Sequence, residues 1–337
     1  MDKRHVLIFA LTLLFLKCGC YRVAEEKMCI SYDTPIYDFS GKKIYCIKKI
    51  LYTRDILPVK PFAKEETQYK VEYYFLKGDP DGEDTVTLRI IFKEEEYTAS
   101  YDTSYTVYLG DISPFGEILG WRNRYPCGIT ILDTLGERIK LVIEWGKNPR
   151  WVSNYTKIVF EGDTMHSGIW IMNKDGTGLQ KILDEGEIEA VSDISEKLIF
   201  STNYGKTLCI YSFADGNIDT IIPNFENLVP GIDFSIAADW IDKDTIIWIE
   251  TPTGYPPLEE DTLAIWIYSI NSDTLVQRIF IENHEDIKEV PVIWLKYSDI
   301  TRSVIFQDLY GEIWKVQRDG TGLKRILKRE VIFLKGR

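Results

Sequence analysis

Ile169-Trp170-Ile171-Met172-Asn173-Lys174-Asp175-Gly176-Thr177-Gly178-Leu179 returns 144 residues later as Ile313-Trp314-Lys315-Val316-Gln317-Arg318-Asp319-Gly320-Thr321-Gly322-Leu323. Each copy runs on through a basic position into Ile-Leu, as Lys181-Ile182-Leu183 and Arg325-Ile326-Leu327. The reading is local. A short apolar strand meets an Asp-Gly turn, and a second strand follows. Gly accepts φ > 0 without a Cβ clash and Asp or Asn tolerates it, so the pair marks a hairpin. Weaker copies lie between the two, at Cys209-Ile210-Tyr211-Ser212-Phe213-Ala214-Asp215-Gly216 and at Ile265-Trp266-Ile267-Tyr268-Ser269-Ile270-Asn271-Ser272. Asp175, Gly176, Asp215, Gly216, Asp319 and Gly320 are therefore the expected turn residues.

A further strand ending in an aromatic precedes every copy: Lys157-Ile158-Val159-Phe160, Lys197-Leu198-Ile199-Phe200, Thr245-Ile246-Ile247-Trp248 and Ser303-Val304-Ile305-Phe306. The aromatics recur at intervals of 40, 48 and 58 residues. An earlier stretch, such as Ala190-Val191-Ser192-Asp193, precedes each strand. Four short strands in a unit of roughly 40–50 residues define a propeller blade. The recurring tryptophans (among them Trp151, Trp170, Trp240, Trp248, Trp266, Trp294 and Trp314) read as packing between blades.

Two less regular units precede these, from about Tyr37 to Phe92 and from about Tyr97 to Glu144. The fold expected is all-β, a six-bladed β-propeller of four-stranded antiparallel blades over residues 37–337, with seven blades as the other count. Residues 48–66 read as irregular, 21–36 as a linker, and 254–261 (GYPPLEED) as a loop inserted in blade 5. Val331-Ile332-Phe333-Leu334 is a spare strand suited to close the ring on the first blade, which removes an open sheet edge.

The strand "I-W-x-M" followed by "N-x-D-G-x-G" resembles the WD-like propeller repeat of the TolB family, closely at 169–179 and 313–323. The family's earlier "W-S-P-D-G-K-K-I-A-F" strand survives only at its ends, as Trp151 and Lys157-Ile158-Val159-Phe160. The resemblance covers residues 150–330 well and 30–145 poorly. It implies a non-catalytic protein-interaction scaffold in the cell envelope, whose partner is an envelope protein. Propellers bind through the loops at the ends of the ring.

The chain opens with Lys3-Arg4-His5 and the apolar run Val6 to Leu16, then Lys17-Cys18-Gly19-Cys20. Eleven apolar residues are too few to span a bilayer as a helix but suit the core of an export signal. Residues 1–20 read as that signal. Gly19-Cys20 resembles a lipoprotein processing site, making Cys20 the lipidation candidate and membrane attachment through an N-terminal lipid the expectation. Lys17 departs from that pattern. Cleavage after Cys20 by an ordinary signal peptidase, with Cys18 and Cys20 as its small residues, remains the other route.

The 337 residues carry a formal net charge of −12, and 13% of them are aromatic, with 20 Tyr, 15 Phe and 9 Trp against 4 Met. Aromatic-rich, methionine-poor composition suits strands. Acidity without a basic stripe argues against nucleic acid. Cys29 and Cys46 are near enough in sequence for a local disulfide, and Cys209 reads as a small buried apolar residue.

Chemistry is sparse in the sequence. After the signal there are two histidines, His166 and His284, without metal-ligand spacing. No phosphate-binding, dinucleotide-binding or nucleophile-elbow motif occurs. No catalytic residue, metal site or cofactor is expected. The acidic groups Glu94-Glu95-Glu96, Glu259-Glu260-Asp261 and Glu282/Glu285/Asp286 read as solvated surface. Two rival readings stand: a polysaccharide lyase or hydrolase using carboxylates at the channel mouth, and a small-ligand or cation sensor.

Overall fold

The computed structural model describes residues 21–37, 43–58, 66–78, 85–98, 107–122, 128–192, 196–202, 207–221, 234–252, 264–272, 274–280, 292–308 and 310–335. All regular structure there is β. Blade 1 holds β1 (Tyr21–Tyr37), β2 (Ile44–Pro58), β3 (Glu66–Gly78) and β4 (Thr85–Thr98). Blade 2 holds β5 (Val107–Ile112), β6 (Ile118–Arg122), β7 (Gly128–Leu132) and β8 (Arg138–Ile143). Blade 3 holds β9 (Lys147–Val152), β10 (Lys157–Glu161), β11 (Ile169–Asn173) and β12 (Gln180–Leu183). Blade 4 holds β13 (Glu187–Ser192), β14 (Lys197–Thr202), β15 (Thr207–Ser212) and β16 (Ile218–Ile221). Blade 5 holds β17 (Phe234–Trp240), β18 (Thr245–Pro252), β19 (Ala264–Ser269) and β20 (Thr274–Phe280). Blade 6 holds β21 (Val292–Ser298), β22 (Ser303–Asp308), β23 (Ile313–Gln317) and β24 (Lys324–Leu327), and β25 (Glu330–Lys335) follows.

Within each blade the strands are antiparallel neighbours in chain order. The first strands β1, β5, β9, β13, β17 and β21 touch in succession, and β21 returns to β1. The ring closes at six blades, which removes the count of seven. The aromatics that set the sequence period lie on the second strands and pair across to the third: Phe160↔Trp170, Phe200↔Cys209, Trp248↔Trp266 and Phe306↔Trp314. Phe160, Trp248 and Phe306 are fully buried, and Phe200 nearly so. The interfaces between blades are apolar, as where Ile305, Ile313 and Ile326 of blade 6 meet Ile44, Cys46 and Leu76 of blade 1.

Blade 1 corrects three expectations. Residues 21–36 are not a linker: they form nearly all of β1, which pairs with β2 from Tyr21↔Pro58 to Tyr37↔Ile44. Much of the stretch read as irregular from Lys48 is β2 itself, continuous to Pro58. Cys29 and Cys46 are unbridged. Cys29 pairs with Leu51, five positions along β2 from Cys46, a separation of roughly 17 Å at about 3.3 Å per residue. That is far outside disulfide reach.

The strands of blade 1 are also long, 17, 15, 13 and 14 residues. β1 leaves the ring near Tyr32, whose amide donates to Gly311 O at 2.8 Å. Residues 21–31 therefore extend past the ring by roughly 35 Å of strand. β25 pairs on this extension, with Cys29↔Val331 and Met28↔Ile332. Blade 1 is already complete without it, so closure comes from a fifth strand rather than from a shared blade. Antiparallel order puts the links between second and third strands, and the links between blades, on one face of the ring. The projecting end of blade 1 is on that face. The Asp-Gly turns are on the other.

Candidate functional site

The inner strands carry charge into the ring's centre. Asp111 (β5), Arg150 (β9), Glu189 (β13), Asp239 (β17) and Lys296 (β21) lie close enough to influence one another. Arg150 is 1% exposed. Its Nη1 donates to Gly110 O at 2.9 Å, and its guanidinium lies 4.2 Å from the centroid of the Trp294 ring. Trp294 belongs to blade 6, opposite blade 3, and its Nε1 donates to Pro35 O at 3.1 Å. The side chains of opposed blades thus meet on the axis and fill it at this level. Asp111 accepts the Trp151 amide at 3.2 Å, and Asp239 accepts the Tyr297 amide at 2.9 Å and faces Lys296 Nζ at 3.8 Å. Burial raises Asp239, against the pull of Lys296. Burial also pushes Glu189 up to about 8, with Glu161 and Glu187 adding to it; a hydrogen bond from Ser201 Oγ at 2.7 Å and the charge of Arg150 oppose it.

Beside this centre, on the face where blade 1 projects, a groove of about 750 Å³ separates blades 3 and 4. Trp121, Lys147, Glu161, Asp163, Glu185 and Glu187 are among its walls. Two glycines build it. Gly146 and Gly186 open the inner strands of blades 3 and 4 at φ 91° and 122°, and a Cβ there would stand 2.6 Å from Phe160 and 2.8 Å from Phe200. Only glycine lets the chain pass so close to the rings at these angles.

Glu161 clasps the two blades. It is 4% exposed, accepts the Ile188 amide at 2.7 Å and Asn148 Nδ2 at 2.6 Å, and pairs with Lys147 at 3.0 Å. The loop from Gly162 to Gly168 forms another wall and is pinned at several points. Gly162 N donates to Gly168 O at 2.8 Å, and Asp163 Oδ1 accepts the Met165 and His166 amides, both at 2.9 Å. His166 Nδ1 lies 2.8 Å from the same oxygen, its ring stacks on Trp145 at 4.1 Å, and its carbonyl accepts Trp170 Nε1 at 2.9 Å. Burial opposes ionisation of Asp163, but the bonds from His166 and Met165 outweigh it and hold the carboxyl below the usual range. Met165 at the loop tip is 84% exposed.

The structure places the expected turn residues in turns on the opposite face. Gly176, Gly216 and Gly320 have φ of 90°, 74° and 85°. Asp175 Oδ1 accepts the Thr177 amide and hydroxyl at 2.9 and 2.6 Å, and Asp319 accepts those of Thr321 at 3.0 and 2.7 Å. Asp215 accepts the Asn217 amide at 3.2 Å. Turn geometry accounts for these groups. Lys174 Nζ reaches Glu117 at 2.5 Å, and Lys140 Nζ donates to Asp175 O at 2.7 Å, so the blade 3 turn also docks on blade 2.

Cys18, Cys20, Cys127, His284 and the acidic runs at 259–261 and 282–286 lie outside the described residues, as does the whole loop expected at 254–261. The side chains of Glu94, Glu95 and Glu96 are likewise outside them. Among the described residues no group of three or more His, Cys, Asp or Glu converges as a metal cage. The sequence reading missed the groove and the Arg150–Trp294 contact. One signal was present: Gly146 and Gly186 are 40 residues apart, as are Phe160 and Phe200.

No family model and no curated protein sequence matches the chain. Among solved structures it is similar to the C-terminal WD40 domain of Sif2, at 12% identity and a TM-score of 0.41, covering 90% of this chain and 88% of that one. It is also similar to a chain from a study of two prolyl endopeptidases, at 9% identity and a TM-score of 0.45, covering 91% of this chain and 50% of that one. The protein is a six-bladed β-propeller of four-stranded antiparallel blades.

Proposed function

We propose that this propeller is an exported, non-catalytic scaffold of the cell envelope that docks a partner protein on the face carrying the groove. One observation supports the reading most directly. The axis is filled where Arg150 lies on Trp294, while the groove beside it is open and its loop wall is tied at several points. A rigid concave surface at the end of a propeller suits recognition, because little ordering is lost on binding. The TolB-like repeat at 169–179 and 313–323 and the export-type segment at 1–20 support the envelope address. β1 starts at Tyr21, directly after Cys20, at the far end of the projecting blade. Lipid on Cys20 would hold the groove face toward the membrane at a distance set by that blade.

Two experiments test this. Crosslinking in intact cells, followed by recovery of the full chain, should yield one specific partner that is lost when residues 250–263 or the groove are altered. Recovery of none refutes the scaffold. Mass spectrometry of the mature N-terminus should find acylated Cys20; an unmodified Tyr21 start means plain secretion, and a retained Met1 refutes processing.

A lyase or hydrolase is the second reading, favoured by one observation. Burial raises the Glu189 carboxyl, with Glu161 and Glu187 nearby, and a carboxyl tuned upward is what a general acid needs. Hydrolysis or cleavage of a polysaccharide that Glu189→Gln abolishes would establish it.

A further inference from the structure

The groove's carboxylates are not equivalent. Glu161 is committed to Lys147 and to the backbone of blade 4. Asp163 is committed to its own loop, and Asp184 pairs with Lys181 at 3.1 Å. Glu185 and Glu187 flank Gly186 at the entry to β13 and are both exposed, with Glu187 near enough to Lys147 to act on its charge. They face a cleft that includes Trp121, itself stacked on Tyr108 at 4.3 Å, and the exposed Met165 stands on the loop that walls it. Five carboxylates line the groove against the cations Arg122 and Lys147. A cleft with low-dielectric walls concentrates the field of such charges. An aromatic wall adds attraction for a cation and contact for its aliphatic stem.

We propose that the groove between blades 3 and 4 receives a basic segment of a partner polypeptide, with a lysine or arginine at Glu185 and Glu187 and neighbouring apolar side chains against Trp121. This rests on the scaffold reading and assigns it a partner chemistry. Opposite charge across the rim speeds encounter and rejects acidic sequences, while apolar contacts in the cleft hold the complex.

The test uses the full chain and a fluorescein-labelled heptapeptide of alternating lysine and tryptophan, followed by anisotropy. Its counterpart has glutamate in place of lysine. The lysine peptide should bind and the glutamate peptide should not. Glu185→Gln with Glu187→Gln should weaken binding by about tenfold or more with an unchanged melting temperature, since both residues are exposed. Asp219→Asn with Asp299→Asn removes the same charge elsewhere and should leave affinity unchanged. Equal loss in both double variants would show attraction to overall charge and overturn the site. So would unchanged binding in the Glu185/Glu187 variant, or full competition by spermine at equal charge, which would make the groove a small-cation site. In the crosslinking experiment, a partner still captured by the Glu185/Glu187 variant sinks this inference and leaves the scaffold standing. Capture of no partner by the wild-type chain sinks the scaffold.

Discussion

Arg150 and Trp294 meet across the axis of the ring, 4.2 Å from guanidinium to ring centroid. Arg150 is buried, and Trp294 is partly buried against the core of blades 1 and 2. Arg150 offsets Asp111 and Asp239 beside it; Trp294 supplies a flat face that a cation can cover. Arg150→Ala leaves those carboxyls with less compensation and should cost about 3 kcal/mol. Arg150→Lys keeps the charge but loses the planar fork, and should recover only part of it. Urea denaturation of the two variants measures the difference. Full recovery by lysine would mean that charge alone matters and that the stack contributes nothing.

The glycines of the turns separate angle from space. Gly176 and Gly216 both have positive φ, but a Cβ on Gly176 would stand 3.0 Å from Val142 O, whereas on Gly216 it would meet only Tyr211 Oη at 3.9 Å. Gly216→Ala should cost the left-handed backbone penalty, about 1 kcal/mol. Gly176→Ala should cost more, because the blade 3 turn must also move off β8. Equal shifts in melting temperature would show that this turn does not dock blade 3 on blade 2.

Much of this fold was legible in the sequence because blades repeat. The strand, Asp-Gly and strand series reports local geometry, and local geometry is what one sequence carries best. β1 was not legible for the opposite reason. Glu25-Glu26-Lys27 interrupts any apolar alternation, and Asp33-Thr34-Pro35 looks like a turn. In the structure Thr34 sits at φ 46° within a bulge that breaks register between Asp33 and Ile36, and the strand resumes beyond it. Its hydroxyl accepts the Leu109 amide at 2.8 Å, so the bulge serves the contact with blade 2. Arg150 and Trp294 are 144 residues apart in sequence and meet only because the ring closes. The groove depends on the same long-range closure, although its glycines shared the period of the aromatics.

Removal of residues 331–337 tests the closure by β25. Of these, Val331, Ile332, Phe333 and Lys335 pair along Glu26 to Cys29 of β1, where blade 1 extends beyond its neighbours. Their loss would leave an unpaired edge on a projecting sheet, an invitation to pair with another chain. The truncated protein should melt lower and associate as concentration rises, seen by size-exclusion chromatography. A monomer with unchanged melting would show that the direct interface between blades 1 and 6 suffices without β25.

The last expectation concerns pH, and its sign follows from Glu189. Its carboxyl sits at about 8 in the folded chain against an ordinary value of 4.5, chiefly through burial, with Glu161 and Glu187 adding and Ser201 and Arg150 opposing. Between those values the folded chain holds a proton that the unfolded chain has released. Stability is therefore greatest below about pH 4.5 for this group and falls as pH rises toward 8, by at most about 1.4 kcal/mol per pH unit. Asp239, also raised by burial, acts in the same direction. Asp175 and Asp319, lowered by bonds from Thr177 and Thr321, act oppositely and only at acid pH, as exposed groups with little weight. Glu189→Gln keeps the shape and removes the titration. Its urea midpoint should change less than wild type between pH 5 and 8, and the variant should be the more stable protein at pH 8. Parallel pH profiles for the two proteins would show that Glu189 ionises without cost and that the centre of the ring is wetter than its packing implies.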